Sequence, residues 1–298
     1  MSTYNGERYL SDQIESVLSQ QGVDVHLLIR DDGSVDGTIP LIRQFAEMHP
    51  TITLIEGKNC GSASSFMCLV REAASTYGGY DYYAFCDQDD VWMPNKLCVA
   101  TQALSDFSCS QPCLYLGAYQ MVDAALNLID TRIRPPVLNL PSGILSNAAT
   151  GCTMVFNRAL LEVVASRNPQ NIIMHDYWVY LVCLATQGSV LYDKTPYIYY
   201  RQHGENVIGG KDDPFLKRWT TRFRKLFIKG DRFKSKLAAS LLENYGDRMC
   251  KEDRQFLEDV ASCRQWSSFW RLLMNPSFRG QTLDKSLQTW GLLLTGKF

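Results

Sequence analysis

The 298-residue sequence contains no uninterrupted apolar run of about 18 residues, the length that a transmembrane helix needs. It also shows no secretory signal, no internal repeat and no low-complexity tract. Hydrophobic residues make up 46% of the chain and charged residues 20%, as in soluble globular proteins. These features predict a cytoplasmic protein with one large domain, or with a domain and an appendage.

Cysteine pairs with the CxxC spacing of zinc sites or redox motifs are absent, and no cysteine clusters with histidine. Most of the ten cysteines stand in apolar surroundings, as Cys183 does in YLVCLA. We therefore predict buried, reduced thiols rather than disulfides or a zinc site, as expected in a reducing cytoplasm.

The formal net charge of −1 hides an uneven distribution of charge along the chain. Residues 211–236 carry ten Lys or Arg and three Asp, a net of +7. The other 272 residues carry 20 basic and 28 acidic residues, a net of −8. A basic segment on an acidic body favours an anionic surface as its partner.

Strand-like and helix-like segments alternate through residues 1–200. The segment 6–22 has Leu10, Ile14 and Val17 at helical spacing, whereas short apolar runs such as 51–57 and 80–86 have the character of strands. This alternation predicts an α/β fold with a mostly parallel sheet. From about Asp212 the pattern becomes basic and helical, without strand candidates.

The segment FCDQDDVWMP places Asp87, Asp89 and Asp90 directly after a strand-like run. Ligands of open α/β sheets collect at the carboxyl ends of strands, and RDDGS, with Asp31, follows another such strand. Carboxylates this close repel one another, so the segment is either a solvated acidic turn or the site of a cation. The oxygens of Asp-x-Asp suit Mg²⁺ or Mn²⁺, and Asp90 has the alternative role of capping the next helix.

The sequence resembles the inverting family 2 glycosyltransferases of the GT-A fold in five motifs, which occur in that family's order and spacing. The motifs are STYNGERYLSDQIESVLSQ, IRDDGSVDGT, NCGSASSF, FCDQDDVWMPNKL and MHDYW. The variants CDQDDVW and YYRQHGENVIG are most similar to bacterial rhamnosyltransferases of surface-polysaccharide assembly. The resemblance implies a GT-A catalytic domain at 1–210, Rossmann-like with a mostly parallel sheet flanked by helices, and a basic, mostly helical extension at 211–298. Family members carry a full apolar strand before STYNG, so we expect a shortened first strand here.

The resemblance also implies the roles of individual residues. Asp176 is the expected catalytic base, with a helix N-cap as its alternative role. Asp89 is the expected direct ligand of Mn²⁺ or Mg²⁺, and Asp87 is expected at the metal or the ribose. The other residues expected to bind the nucleotide-sugar are Thr3, Tyr4, Asp31, Arg201 and His203. The acceptor and sugar pocket is expected to contain Gly151, His175 and Trp178.

Most of these residue types match the chemistry expected of them. The Asp31 carboxylate is expected to accept the N3–H of uracil or thymine, and Tyr4 is expected to stack on the base. Arg201 and His203 are donors suited to a diphosphate. The structural alternatives stay open: an Asp-Gly turn around Asp31, a satisfied strand-end histidine at His203, and a core position for Trp178.

These features predict an inverting, metal-dependent glycosyltransferase that moves a sugar from a dTDP- or UDP-sugar to a glycan or lipid-linked acceptor, with L-rhamnose as the first candidate. Two alternatives remain open. A metal-dependent nucleotidyltransferase would use a nucleoside triphosphate and would not need Asp176, and a third possibility is a non-catalytic module that binds sugar nucleotides. Under the first hypothesis Asp31, Asp87, Asp89 and Asp176 converge on one cleft at the carboxyl ends of the sheet.

Residues 217–236 interleave aromatic with basic side chains. No RNA- or DNA-binding module accompanies them, so we do not expect nucleic acid as a partner. Apolar side chains combined with cations favour a peripheral segment at the anionic inner face of the cell membrane. The alternative is a helix that packs on the catalytic domain and leaves a solvated basic face.

Overall fold

The structure is a computed structural model, and it describes residues 1–133, 135–169, 172, 174–203, 232–276, 290, 291, 293 and 298. The chain divides into two compact units. The first unit comprises Met1–Pro136, Ala148–Cys183 and Gly188–Gln202, and the second comprises Val137–Asn147, Leu184–Gln187 and His203–Phe298. The domain boundary predicted at 210 lies outside the described residues.

The first unit begins with three parallel strands in the order β1-β2-β3. The elements are β1 (Ser2–Thr3), α1 (Glu7–Leu18), β2 (Leu27–Asp31), α2 (Thr38–Met48), β3 (Ile52–Glu56) and α3 (Ser62–Thr76). β1 is two residues long, and it pairs Thr3 with Asp31 at the carboxyl end of β2. The predicted alternation of strands and helices is confirmed in this part of the chain.

A second sheet of six strands completes the first unit, in the order β4-β8-β6-β9-β5 with β7 paired to β6. Its elements are β4 (Tyr82–Ala84), β5 (Val91–Trp92), α4 (Lys96–Leu104), β6 (Cys113–Val122), β7 (Leu128–Arg132), β8 (Val155–Asn157), α6 (Arg158–Ala165), α7 (His175–Ala185) and β9 (Ser189–Arg201). β6 and β9 are parallel, and the remaining pairs of this sheet are antiparallel. The α/β class is therefore confirmed, and the second sheet is a mixed one.

The core of the first unit follows the apolar spacing of the sequence. Leu10, Ile14 and Val17 of α1 are buried and belong to one cluster with Ile29 of β2 and Trp92 of β5. One face of α1 thus packs on apolar residues of both sheets, as an amphipathic helix does. This packing fixes the helix that leads away from the end of β1, where the first motif lies.

The strand register brings several loops to one place. β5 runs antiparallel to β9 and pairs Trp92 with Ile198 and Val91 with Tyr199, so the residue before β5 lies beside the end of β9. β6 runs parallel to β9 and pairs Val122 with Arg201. The acidic segment that follows β4 and precedes β5 therefore meets the last residue of β9.

The described residues of the second unit are helical and include no strand. The helices are α5 (Leu140–Leu145), α8 (Phe233–Tyr245), α9 (Lys251–Ala261) and α10 (Trp266–Met274). The helical character predicted for this part is confirmed where it is described. Of the segment predicted to bind a membrane, 217–231 lies outside the described residues. In the part of the chain that the structure describes, no helix has the length and apolar character to cross a bilayer.

All ten cysteines are free. Five of them are buried, whereas Cys60 and Cys109 are exposed. The prediction of unpaired thiols agrees with this structure. The prediction that they are buried holds for only half of them, because apolar neighbours in the sequence do not reveal which side of a helix or strand faces solvent.

Candidate active site

Four carboxylates form the acidic end of the first unit. Asp87, Asp89 and Asp90 follow β4, and Asp176 lies in the first turn of α7. Burial raises the pKa of Asp87, and the charges of Asp89 and then Asp176 raise it further. The structure therefore brings Asp176 close to the acidic segment, although nearly ninety residues separate them in sequence.

Asp176 is buried, and both of its carboxylate oxygens accept backbone hydrogen bonds. Oδ1 accepts from the N–H of Tyr177 at 2.6 Å, and Oδ2 accepts from the N–H of Gly151 at 3.2 Å. Burial raises the pKa of Asp176 to about 6, although these hydrogen bonds oppose the rise. A carboxylate whose pKa lies near neutrality is suited to general base catalysis.

His175 is buried between two phenylalanine rings. Its ring stacks on Phe66 with centroids 3.8 Å apart and lies edge-on to Phe85 at 4.7 Å. Burial lowers the pKa of His175 to about 3, so the imidazole is neutral at physiological pH. Its Nε2 atom has no hydrogen-bond partner among the described residues. His175 therefore shapes the wall beside Asp176 as a neutral aromatic ring.

Gly151 lies directly against these two residues. A Cβ atom at this position would lie 3.0 Å from Nε2 of His175 and 3.5 Å from Cβ of Asp176. A side chain here would push on both residues, and the N–H of Gly151 already donates to Asp176. Gly151 therefore acts on Asp176 through its backbone, and its predicted place in the acceptor pocket stays a prediction.

Asp90 is fully buried and does not cap α4, which begins after Asn95 without a side-chain cap. Its Oδ1 accepts from the backbone N–H of Arg201 at 3.2 Å. Burial raises the pKa of Asp90 well above its usual range, and the charges of Asp89 and Asp87 add to the rise. The predicted capping role is wrong because the neighbouring strand β9, distant in sequence, supplies a donor to this carboxylate.

Lys96 is a buried cation on the inner side of the acidic segment. Its Nζ lies 3.5 Å from the centroid of the Trp92 ring and has no hydrogen-bond partner among the described residues. Burial lowers the pKa of Lys96 to about 8, although Cys86, Cys152 and Asp90 oppose this shift. Lys96 therefore compensates part of the negative charge around Asp90 from within the core.

Arg201 is buried, and its guanidinium group is used inside the protein. Nε donates to the main-chain oxygen of Asp89 at 2.9 Å, Nη1 to that of Ala124 at 2.7 Å, and Nη2 to the carboxylate of Asp12 at 2.8 Å. The guanidinium carbon also lies 4.5 Å from the centroid of the Tyr9 ring. The predicted contact with a diphosphate does not fit this arrangement, because Arg201 is 3% exposed and instead holds the acidic segment in place.

Asp31 is also used within the chain. Its oxygens accept from the N–H of Gly33 at 3.0 Å, from the N–H and hydroxyl of Ser34 at 2.7 and 2.6 Å, and from the hydroxyl of Thr3 at 2.8 Å. A carboxylate has about four acceptor positions, so all of them are occupied. Asp31 is fully buried, and a base N–H would reach it only by displacing one of these donors. Thr3 and Asp31 therefore fix the turn after β2, where Gly33 has a positive φ of 86°.

Tyr4 lies exposed at the end of β1 and is tied to the acidic segment through Gln88. The Gln88 side chain accepts from the Tyr4 N–H at 2.8 Å and donates to the Tyr4 carbonyl at 3.2 Å. This paired contact joins the first motif to the DQDD motif. It leaves the Tyr4 ring, which is 48% exposed, available for stacking on a planar ligand.

Two further predicted residues are Trp178 and His203. Trp178 is 2% exposed on the apolar helix α7, so its ring belongs to the core and offers no face to a sugar. This prediction is wrong because the MHDYW motif shows a tryptophan near Asp176 without showing which side of the helix it occupies. His203 is half-buried and belongs to the second unit, and its predicted role stays a prediction.

The sequence analysis missed Gln88, Asp12 and Lys96. Gln88 lies between Asp87 and Asp89 in the acidic motif, and the sequence does not reveal that its side chain binds the backbone of Tyr4. Asp12 lies within the first motif on an amphipathic helix. Polar residues are common on the exposed face of such a helix, so the sequence does not single out Asp12. The burial of Lys96 could have been predicted, because it lies in the mostly apolar stretch VWMPNKLCVA.

The donor set fits a hard divalent cation. Asp87, Asp90 and Cys152 each place one ligand atom within 4.8 Å of the others. Burial raises the pKa of the Cys152 thiol, and the charge of Asp90 adds to the rise, so this group is a neutral thiol rather than a thiolate ligand. The available anionic donors are therefore carboxylates, which suit Mg²⁺ or Mn²⁺ better than a soft metal.

Replacement of Arg201 by lysine tests its positioning role. Arg201→Lys keeps the charge but loses the planar fork that reaches Asp89, Ala124 and Asp12 together, so the acidic segment loosens. We expect Mn²⁺ affinity, measured by calorimetry, to fall by about tenfold, equivalent to about 1.4 kcal/mol. Arg158→Lys is the matched control, because Arg158 also donates to main-chain oxygens, those of Gly79 and Tyr80, at the other end of β4. Unchanged Mn²⁺ affinity in a folded Arg201→Lys protein would contradict this role.

The buried His175 predicts a pH dependence of stability. Its folded pKa lies near 3, below the ordinary value of 6.5, so the unfolded chain takes up a proton that the folded protein rejects. The stability contributed by the neutral His175 is therefore full above pH 6.5 and is lost as the pH falls from 6.5 towards 3, by up to about 1.4 kcal/mol for each pH unit. In thermal melts, the loss of stability between pH 8 and each lower pH is measured for both proteins. This loss should be smaller for His175→Phe than for the wild type. Parallel curves would show that His175 is not buried as a neutral group.

Two glycosyltransferases of known name are similar to this chain in sequence. The dTDP-rhamnosyl transferase RfbG of Shigella flexneri is 28% identical over 223 residues, covering 70% of this chain and 73% of RfbG. The UDP-Glc:alpha-D-GlcNAc-diphosphoundecaprenol beta-1,3-glucosyltransferase WfgD of Escherichia coli is 29% identical over 163 residues, covering 54% of this chain and 60% of WfgD.

The fold and the family follow from two further comparisons. The crystal structure of S. aureus TarS 1–349 in complex with UDP-GlcNAc matches with a TM-score of 0.58 at 15% identity, covering 97% of this chain and 76% of that one. This likeness confirms the predicted GT-A fold. The model of the family described as Glycosyl transferase family 2 matches residues 1–164, more than half of the sequence. This chain therefore belongs to glycosyltransferase family 2.

Proposed function

We propose that this protein is an inverting, metal-dependent glycosyltransferase that transfers a sugar from a nucleotide-sugar donor to a glycan or lipid-linked acceptor in cell-surface polysaccharide synthesis. The observation that carries the proposal is a grouping of carboxylates: ligand atoms of Asp87, Asp90 and Cys152 lie within 4.8 Å of one another, and the N–H of Gly151, the residue before Cys152, donates to Asp176. Carboxylates grouped in this way supply both the ligands of a cation and a base close to it. The similarity to RfbG makes dTDP-rhamnose the first donor to test, and the similarity to WfgD makes a diphospholipid-linked glycan the first acceptor.

The roles of the residues follow from their positions. Asp87, which lies in the cluster with Asp90, would hold Mn²⁺ or Mg²⁺ together with Asp89, the ligand that the family resemblance implies. The bound ion would stabilise the negative charge that grows on the diphosphate leaving group. Tyr4 offers an exposed ring for the base, next to the DQDD motif to which Gln88 ties it. Thr3, Asp31 and Arg201 hold these loops in place through their hydrogen bonds within the chain.

Asp176 is the proposed catalytic base. Its carboxylate accepts the proton of the acceptor hydroxyl while the acceptor oxygen forms a bond to the anomeric carbon. The bond from that carbon to the phosphate oxygen breaks, and its electron pair leaves with the nucleoside diphosphate. The raised pKa of Asp176 suits this proton transfer, and the neutral rings of His175, Phe66 and Phe85 line the apolar side of the site.

The function is tested with a panel of sugar nucleotides, including dTDP-rhamnose, UDP-glucose, UDP-GlcNAc and GDP-mannose, each with a lipid-linked or soluble glycan acceptor. We expect one donor to release its nucleoside diphosphate only in the presence of an acceptor and a divalent ion, and chelator to abolish the release. NMR of the product should show the anomeric configuration inverted relative to the donor. Release of pyrophosphate from a nucleoside triphosphate would instead identify a nucleotidyltransferase, and donor binding without any transfer would identify a non-catalytic module.

Asp176→Asn separates chemistry from binding. The substitution removes the base but preserves the shape of the side chain, so turnover should fall by about 10²–10⁴ while donor affinity changes little. Asp130→Asn, at an exposed carboxylate of β7 outside the acidic cluster, is the matched control and should keep full turnover. Turnover equal to that of the wild type in Asp176→Asn would place the base elsewhere.

A further inference from the structure

The helix α10 has one buried face and, opposite it, an exposed stripe of apolar side chains. Ser268 and Leu272 are four residues apart, and each is 1% exposed. Trp266, Trp270 and Met274 are spaced in the same way, but they are 75%, 44% and 74% exposed. A shift of two residues rotates about 200° around a helix, so the exposed stripe lies opposite the buried one.

The exposure of Trp266 and Trp270 contrasts with that of two other tryptophans among the described residues. Trp92 and Trp178 are buried. On α10 the rings of Trp266 and Trp270 lie 5.5 Å apart, and Phe269 contacts both of them at 6.4 and 5.7 Å. A continuous exposed apolar surface of this kind marks an interaction site.

The C-terminal part of the sequence, which contains α10, carries a net positive charge. Residues 211–298 carry 18 basic and ten acidic side chains, a net of +8, whereas residues 1–210 carry 12 basic and 21 acidic ones, a net of −9. From Val260 to Pro276 the chain contains two cations, Arg264 and Arg271, and no acidic residue. Both arginines are exposed, and Arg271 also pairs with Asp259.

We propose that Trp266, Trp270 and Met274 form the surface by which this protein docks on an anionic phospholipid bilayer. An amphipathic helix with tryptophan on one face and cations beside it lies in the plane of the bilayer interface. Tryptophan is favoured there because its ring is apolar while its N–H finds a polar partner. The net positive charge of the C-terminal part complements an anionic leaflet.

This inference names the surface that meets the membrane in which a lipid-linked acceptor would lie. To that extent the inference rests on the proposed function. The stripe is distinct from the 217–236 segment to which the sequence analysis assigned membrane binding. Vesicle binding is measured without donor or acceptor, so a failure to bind vesicles would leave the catalytic proposal untouched. Likewise, a failure to transfer sugar would leave the vesicle-binding proposal untouched.

The test is co-sedimentation of the full chain with vesicles of phosphatidylglycerol and phosphatidylcholine in equal parts, and with vesicles of phosphatidylcholine alone. We expect wild-type protein to bind the anionic vesicles, with a blue shift of tryptophan emission, and added salt to weaken binding. The variant Trp266→Ser, Trp270→Ser, Met274→Ser should bind at least about tenfold more weakly. The control Leu128→Ser, Ile129→Ser removes two exposed apolar residues from β7 and should bind like the wild type.

Light scattering and circular dichroism accompany the binding measurements. All variants should have the same secondary structure and be monomeric, since every substituted side chain is exposed. Equal binding of the triple variant and the wild type would overturn the proposal. It would also be overturned if wild-type protein bound no vesicles. If wild-type chains associate with one another and the triple variant does not, the stripe is instead a contact between copies.

Discussion

Repulsion among carboxylates in a small, poorly hydrated volume is the constraint on which the functional end of the first unit depends. Asp87 and Asp90 have raised pKa values because of burial and because each lies near other acidic groups. A chain reduces this cost by aiming donors at the carboxylates or by placing cations near them. The backbone N–H groups of Gly151, Tyr177 and Arg201 are such donors, and the buried Lys96 is such a cation.

The polar residues around this cluster divide into two kinds. Asp31 and Arg201 have their hydrogen-bonding groups used within the chain, so they fix the positions of loops. Tyr4 and Asp176 are the residues that the proposed function assigns to the ligands, Tyr4 to the nucleotide base and Asp176 to the acceptor hydroxyl. The first kind makes the second effective, because a turn held by buried hydrogen bonds keeps its side chains within the small tolerance that catalysis requires.

Much of this arrangement could be predicted from the sequence, for reasons that particular residues make clear. The apolar spacing of Leu10, Ile14 and Val17 predicts α1 and its buried face, and the position of Asp87 after a strand predicts a site at that edge of the sheet. The sequence does not reveal whether a polar group's hydrogen bonds are already made inside the protein. Arg201 looks like a diphosphate ligand because its partners Asp12 and Ala124 are distant in sequence and have no motif of their own.

The central claim is that the acidic cluster is destabilising by itself and is relieved by a divalent cation. Thermal melts at neutral pH, in chelator and in excess Mn²⁺, test this most directly with wild type and Asp87→Asn. The account predicts that Mn²⁺ raises the melting temperature of the wild type but not of the variant. It also predicts that in chelator the variant melts no lower than the wild type, because one source of repulsion is gone. A wild type that does not respond to Mn²⁺, or a variant that melts well below it in chelator, would contradict the account.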